Sequence, residues 1–253
     1  MKAIITGATS GIGRSIAHNL KKRGWSLILT GRNEKALEAL KSELGGDTEI
    51  IAADLSDRND VFRVYDFCKG KKTDMLVNNA GYGVFGKFAE TDLEDELNMI
   101  NVNVAAVHIL TKLFLRDFRK RNRGIILNVA SSAGFMTGPL LASYYASKKY
   151  VVRLSLAIAE ELRREKSKVS ITVFCPGPVD TNFNNRAGVS FSVKPLTADY
   201  AAEYAISHAL SRKLIAVPTL TMKAGIFASR FAPHRLISAV AYNLQKSKEK
   251  CHE

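Results

Sequence analysis

Met1-Lys2-Ala3-Ile4-Ile5-Thr6-Gly7-Ala8-Thr9-Ser10-Gly11-Ile12-Gly13 opens the chain and decides its reading. The apolar run Ala3-Ile4-Ile5 predicts a buried strand, the glycines a tight turn, and the pattern through Leu20 a helix. That order makes a phosphate cradle: a helix N-terminus leaves backbone N–H groups unpaired, and its dipole favours an anion. Glycine lets the backbone approach a diphosphate closely. The spacing of Gly7, Gly11 and Gly13 is G-x-x-x-G-x-G, not the G-x-G-x-x-G of the ordinary dinucleotide fingerprint.

The same alternation continues. Strands are predicted at Lys2–Thr6, Ser26–Thr30, Glu49–Ala53, Met75–Asn78, Gly124–Val129, Ser170–Cys175 and Leu214–Val217. Amphipathic helices fall between them, the longest at Leu93–Lys120 and Tyr144–Arg164. Short strands apolar on both faces, separated by helices, predict an α/β fold: a Rossmann-type doubly wound parallel sheet of about seven strands, with helices on both faces, as a single domain over residues 1–253. In such sheets the ligand crosses the C-terminal strand edge at the switch point, so residues just after strands are the informative ones.

With 46% hydrophobic and 24% charged residues, the 253-residue chain can bury a large core, and no run approaches the length of a membrane span. Met1-Lys2 runs straight into a core strand, so no cleavable signal is expected. Cys68, Cys175 and Cys251 show neither metal-ligand spacing nor a disulfide framework, which fits a reducing cytoplasm and gives no metal site. The net charge of +13 is spread along the chain, mostly toward predicted helix C-termini. No basic aromatic stripe or helix-turn-helix points to nucleic acid.

The chemistry lies in Tyr144-Tyr145-Ala146-Ser147-Lys148-Lys149. Residues four apart share a helix face, so Tyr144 with Lys148, or Tyr145 with Lys149, can enter one site together. An ammonium and an oxidised nicotinamide would both favour the phenolate, drawing a tyrosine of ordinary pKa near 10 toward neutrality. Arg32, after the second strand, is a donor fork suited to a ribose 2′-phosphate where an acidic residue would suit a 2′-hydroxyl.

Together with Asn78-Asn79-Ala80-Gly81, a serine thirteen residues before Tyr144, and Pro176-Gly177-Pro178-Val179-Asp180-Thr181, the chain resembles the short-chain dehydrogenase/reductase family from Lys2 to about Leu220. The resemblance implies an oxidoreductase exchanging a hydride between a nicotinamide and a carbonyl or secondary alcohol. Tyr144 would be the general acid/base, Lys148 would bind the ribose, and Ser131 (Ser132 its rival) would hold the carbonyl oxygen. Asn103, with Asn101 the other register, would hold a relay water.

The resemblance also places the cofactor. Gly7, Ser10, Gly11, Ile12, Gly13 and Arg32 would line the diphosphate and adenosine ribose, and Asp54 and Leu55 the adenine. Asn78, Ala80 and Gly81 would border the sugar, with Pro176, Gly177, Val179 and Thr181 at the carboxamide. NADP(H) is expected, with NAD(H) possible, since Ser10 stands where many NADPH users carry a basic residue. A homodimer or homotetramer through the two long helices is implied. The rival function is a dinucleotide-binding regulatory or scaffold protein of the same fold; Tyr144, Lys148 and Ser131 together argue against it.

Phe85, Phe135, Met136, Leu140, Phe183 and Phe191, in loops that include a substrate loop at about 182–197, suggest an apolar carbonyl substrate or, equally, core closure. The tail from about 219 to 253 carries helical apolar stripes, broken at Pro233, among Lys and Arg. It is expected to pack on its own domain or across an oligomer interface, with contact to an anionic membrane as the second reading.

Overall fold

The computed structural model describes residues 1–181, 195–229 and 231–246, without the side chain of Leu244. Seven parallel strands form the central sheet: β1 (Lys2–Thr6), β2 (Ser26–Gly31), β3 (Thr48–Ala52), β4 (Met75–Asn78), β5 (Gly124–Val129), β6 (Val169–Phe174) and β9 (Ile215–Ala216). Their order is β3-β2-β1-β4-β5-β6-β9, so the winding reverses between β1 and β4. A ligand crevice belongs at the C-terminal edge of that pair. A small ladder of β7 (Val179–Asp180) and β8 (Leu196–Thr197) flanks the edge.

Ile4 and Ile5 show why the strands are apolar on both faces. Successive strand side chains point to opposite faces. Ile5 enters a layer with α1 (Gly11–Lys22), α2 (Glu34–Leu44) and α7 (Ala198–Leu210), where Ile16, Leu37 and Ala205 are buried. Ile4 enters the other, with α3 (Arg58–Cys68), α5 (Val107–Arg121) and α6 (Ala142–Arg164), where Val64, Phe114 and Ile158 lie. Helices on both faces leave no solvated side of the sheet.

The predicted helix Leu93–Lys120 is α4 (Leu93–Ile100), a π-helical turn (Asn101–Ala106) and α5. By length and composition this run could cross a membrane; here Leu110, Phe114 and Phe118 are buried against the sheet. A π-turn inserts an extra residue per turn and re-aims side chains, often at functional sites. The tail forms α8 (Leu220–Ala228) and α9 (His234–Lys246), separated around Pro233 as the sequence predicts.

Candidate active site

The glycine turn is built by contact. Gly7 and Gly11 adopt φ +63° and +50°, and a Cβ on Gly7 would stand 2.9 Å from Ala80 Cα. A Cβ on Gly13 would run into the Gly7 carbonyl and the Asn79 amide. The turn is tied to the end of β4: the Thr6 hydroxyl accepts from the Asn79 and Ala80 N–H groups at 2.9 and 3.0 Å, and Asn79 Nδ2 donates to the Thr6 and Gly7 carbonyls at 3.0 and 3.1 Å. Ser10 stands at the N-cap of α1 without a side-chain cap bond, and no acidic residue occupies the first turn. The positive end of the helix is therefore left for an external anion.

One cavity of about 730 Å³ begins at Arg32, Asp54 and Leu55, passes Gly7, Ser10, Gly11 and Ile12, and reaches Ser131, Tyr144 and Lys148. Ala80, Gly81, Pro176, Gly177, Val179 and Thr181 line it as well. A cationic fork at one end, a helix N-terminus in the middle and a reactive hydroxyl at the other end fit an extended dinucleotide. Among the described residues Arg32 has no ion-pair partner.

Three residues do not line this cavity. Gly13 lets α1 approach the turn. Asn78 is 2% exposed and turned into the sheet, where Nδ2 donates to Thr111 Oγ1 and Asn128 Oδ1 at 3.0 and 2.9 Å. The cavity residue is its neighbour Asn79, because alternate positions at a strand end face opposite ways. Asn103 is the buried asparagine of the π-turn, whereas Asn101 is exposed. Its amide accepts from the Tyr82 N–H at 3.1 Å and donates to the Tyr82 carbonyl at 2.8 Å and to Ser147 Oγ at 3.1 Å. Its side chain thus braces the loop after β4 against α6.

At the reactive end Tyr144 and Lys148 are 9% and 5% exposed, while Lys149 faces solvent, so the Tyr144–Lys148 register enters the cavity. Tyr144 is hydrogen-bonded to the Ser131 side chain. Ser131 Oγ also accepts from the Ala133 N–H at 3.1 Å, at the start of a 3₁₀ turn (Ser132–Phe135). Lys148 Nζ donates to the Val129 carbonyl at 3.1 Å and lies 5.8 Å from the Tyr144 ring centre.

The protein's own groups shift both pKa values by burial. Burial pushes the Tyr144 phenol above its ordinary pKa, outweighing the opposite effect of the Ser131 hydrogen bond, and Lys148 does not draw it down. The same burial pulls the Lys148 ammonium down to about 8. Both groups lose water together, so desolvation opposes both charged forms and drives their affinities for a proton apart, up for the phenol and down for the ammonium.

At the substrate end the two readings divide between residues. Met136 lines the cavity, but Phe85 packs against the small core that contains Tyr144, Phe135 against the one that contains Val152, and Leu140 is buried outside the cavity lining. Phe183 and Phe191 fall outside the described residues. The wall is completed by Leu141, Tyr145 and, from the tail, Ala241 and Gln245. Gln245 is 4% exposed and donates to the Tyr145 hydroxyl at 2.7 Å. No spacing pattern marks that pair, because its members are 100 positions apart.

Gly81 shows how tightly the reactive end is packed: an added Cβ would stand 2.9 Å from Asn103 Oδ1 and 3.1 Å from Lys148 Nζ. Gly81→Ala is expected to displace the amine and lower turnover about a hundredfold, since small misplacements of catalytic groups cost that much. Gly225→Ala, whose Cβ meets open space on α8, is the control. Equal turnover in both variants would refute the packing argument.

The fold and this site define a doubly wound dinucleotide-binding domain with a Ser, Tyr and Lys cluster at its reactive end. The chain belongs to the short-chain dehydrogenase family, whose model matches residues 1–189. It is 35% identical over 208 residues to a very-long-chain 3-oxoacyl-CoA reductase of Anas platyrhynchos, covering 78% of this chain and 65% of that protein, and so spans less than two thirds of that relative's length. It is 31% identical to 17-beta-hydroxysteroid dehydrogenase type 3 of Danio rerio, covering 90% and 81% of the two chains. Among solved structures, a short-chain dehydrogenase from Sphingobium yanoikuyae in complex with NADPH superposes with TM-score 0.82 at 28% identity, covering 93% and 94%. One from Burkholderia phymatum in complex with NAD gives 0.81 at 26%, covering 89% and 91%.

Proposed function

We propose that the chain is an NADP(H)-dependent reductase of apolar ketones or aldehydes. The observation that carries this reading is the hydrogen-bonded Ser131–Tyr144 pair at one end of a cavity whose other end holds Arg32. A nicotinamide, when bound, supplies or accepts the hydride. Gly7 to Ile12 hold its diphosphate, Arg32 the 2′-phosphate, and Lys148 the ribose beside the ring. Ser131 Oγ orients the carbonyl oxygen and donates to it as negative charge develops there. Tyr144 transfers its phenolic proton to that oxygen. Burial keeps the phenol protonated at neutral pH, the form a reductase requires.

Met136, Leu141, Tyr145 and Ala241 give the substrate end an apolar lining, in keeping with relatives named for long 3-oxoacyl and steroid compounds. Leu97, Ile100 and Tyr150, exposed on α4 and α6, suit a homo-oligomeric contact.

The test is oxidation of NADPH and of NADH over a panel of ketones and aldehydes graded in size and polarity, with wild type and Arg32→Asp. Charge-assisted hydrogen bonds contribute about 1.5–3 kcal/mol. The variant is therefore expected to lose about 10- to 100-fold in kcat/KM with NADPH and little with NADH. An unchanged ratio would refute the cofactor preference, and no turnover with either cofactor would refute the activity.

A further inference from the structure

The tail is amphipathic twice over, and among the described residues only its inner side packs on the domain. On α9 the inward positions Ala241 and Gln245 close the cavity, and Ser238 bonds Thr137 at 2.8 Å. On α8 Ile226 is buried with Val217 and Val152. The outer side holds Leu220, Phe227, Phe231, Leu236 and Val240, which are 81, 61, 76, 57 and 51% exposed. Phe227 and Phe231 stack edge-to-face on one another, 5.3 Å between centres, so the patch is contiguous there.

Its charge is one-sided. Between Glu203 and Glu249 the chain has no Asp or Glu, yet it has seven Lys or Arg from Arg212 to Lys248. Lys223, Arg235 and Lys246 are exposed on the two helices, and among the described residues none of them forms an ion pair. A second copy of the chain would not suit this face. A two-fold interface sets a patch against itself, and here cations would meet cations with no carboxylate between them. Exposed aromatic and aliphatic side chains flanked by basic ones match an anionic lipid surface, where the apolar face enters the headgroup boundary and the cations meet phosphates.

We propose that the outer face of α8 and α9 docks the protein on anionic membrane, and that a membrane-dissolved apolar carbonyl compound reaches the cavity past α9. The second half rests on the proposed reductase activity; the docking does not. Because α9 is one helix thick, Leu236 and Val240 would lie in lipid while Ala241 and Gln245 face the cavity.

The experiment is co-sedimentation of the full chain with phosphatidylcholine vesicles, with and without phosphatidylserine, at low and high salt. Binding about tenfold or more tighter to the phosphatidylserine vesicles is expected, weakened by salt. Phe227→Ser/Phe231→Ser/Leu236→Ser should abolish it while leaving reduction of a water-soluble ketone unchanged. If that variant fails to fold, Lys223→Glu/Arg235→Glu/Lys246→Glu, confined to exposed positions, should remove the phosphatidylserine dependence. Wild-type protein that stays in the supernatant, or binding that survives both variants, overturns the docking. So does a wild-type dimer that the serine variant makes monomeric without any vesicle binding. Docking without faster reduction of a vesicle-dissolved ketone, in a protein active on soluble ketones, overturns the delivery route alone.

Discussion

Tyr144→Phe is expected to lower kcat/KM for carbonyl reduction about a thousandfold, with fold and cofactor affinity retained. The phenol is buried beside Met99, Ala133 and Leu141, so phenylalanine fills the same space. The substitution removes one hydroxyl and its hydrogen bond to Ser131, about 1 kcal/mol of stability. Ser131 keeps its bond from Ala133. What is lost is the proton, and positioned acid–base catalysis contributes about 10²–10⁴ in rate.

The direction of the phenol's shift adds a pH signature. With its pKa raised by burial, Tyr144 is protonated throughout the neutral range, so reduction should not vary with its titration there. Alcohol oxidation needs the phenolate and should accelerate as pH rises. Steady-state rates in both directions from pH 6 to 10 check this. A Tyr144→Phe enzyme with unreduced turnover would remove the mechanism.

Lys148→Met is expected to inactivate the enzyme and, unusually for an active-site substitution, to stabilise it. In the folded chain the ammonium is buried and its pKa falls from 10.5 to about 8. Between those values the unfolded chain binds more protons, so stability rises with pH across that window. The penalty is therefore full below about pH 8 and gone above about 10.5. At 1.36 kcal/mol per unit it amounts to about 3 kcal/mol, less about 1 kcal/mol for the lost bond to the Val129 carbonyl. Methionine should raise Tm by roughly 5 °C at pH 7. The gain should vanish near pH 10.5. Calorimetry at the two pH values decides it; a destabilised variant at pH 7 would show that Lys148 holds the site together.

The parts of the site legible in the sequence are those whose geometry repeats within a turn or a strand. The four-residue spacing of Tyr144 and Lys148 puts both on one helix face, and the glycines mark where backbone must approach backbone. The structure gives the physical reason the rivals part. Lys149 and Asn101 point to solvent because α6 and the π-turn each present one face to the sheet. Asn78 lost its place to Asn79 by a single position at the end of β4, where the pleat sends one side chain into the core and the next toward the cavity. The aromatic loops left two readings open because Phe85 and Phe135 are as well suited to a core as to a substrate pocket, and both pack against the core.

By itself the sequence determined the doubly wound sheet, the glycine turn after β1 and the helix that carries Tyr144 and Lys148, since local periodicity and turn chemistry suffice for each. Only the tertiary structure decided that burial raises Tyr144 and lowers Lys148, that Asn103 braces Tyr82, and that Gln245 closes the cavity over Tyr145. Desolvation and contacts between residues dozens to a hundred positions apart depend on where the whole chain folds back upon itself, and no spacing within one element records that.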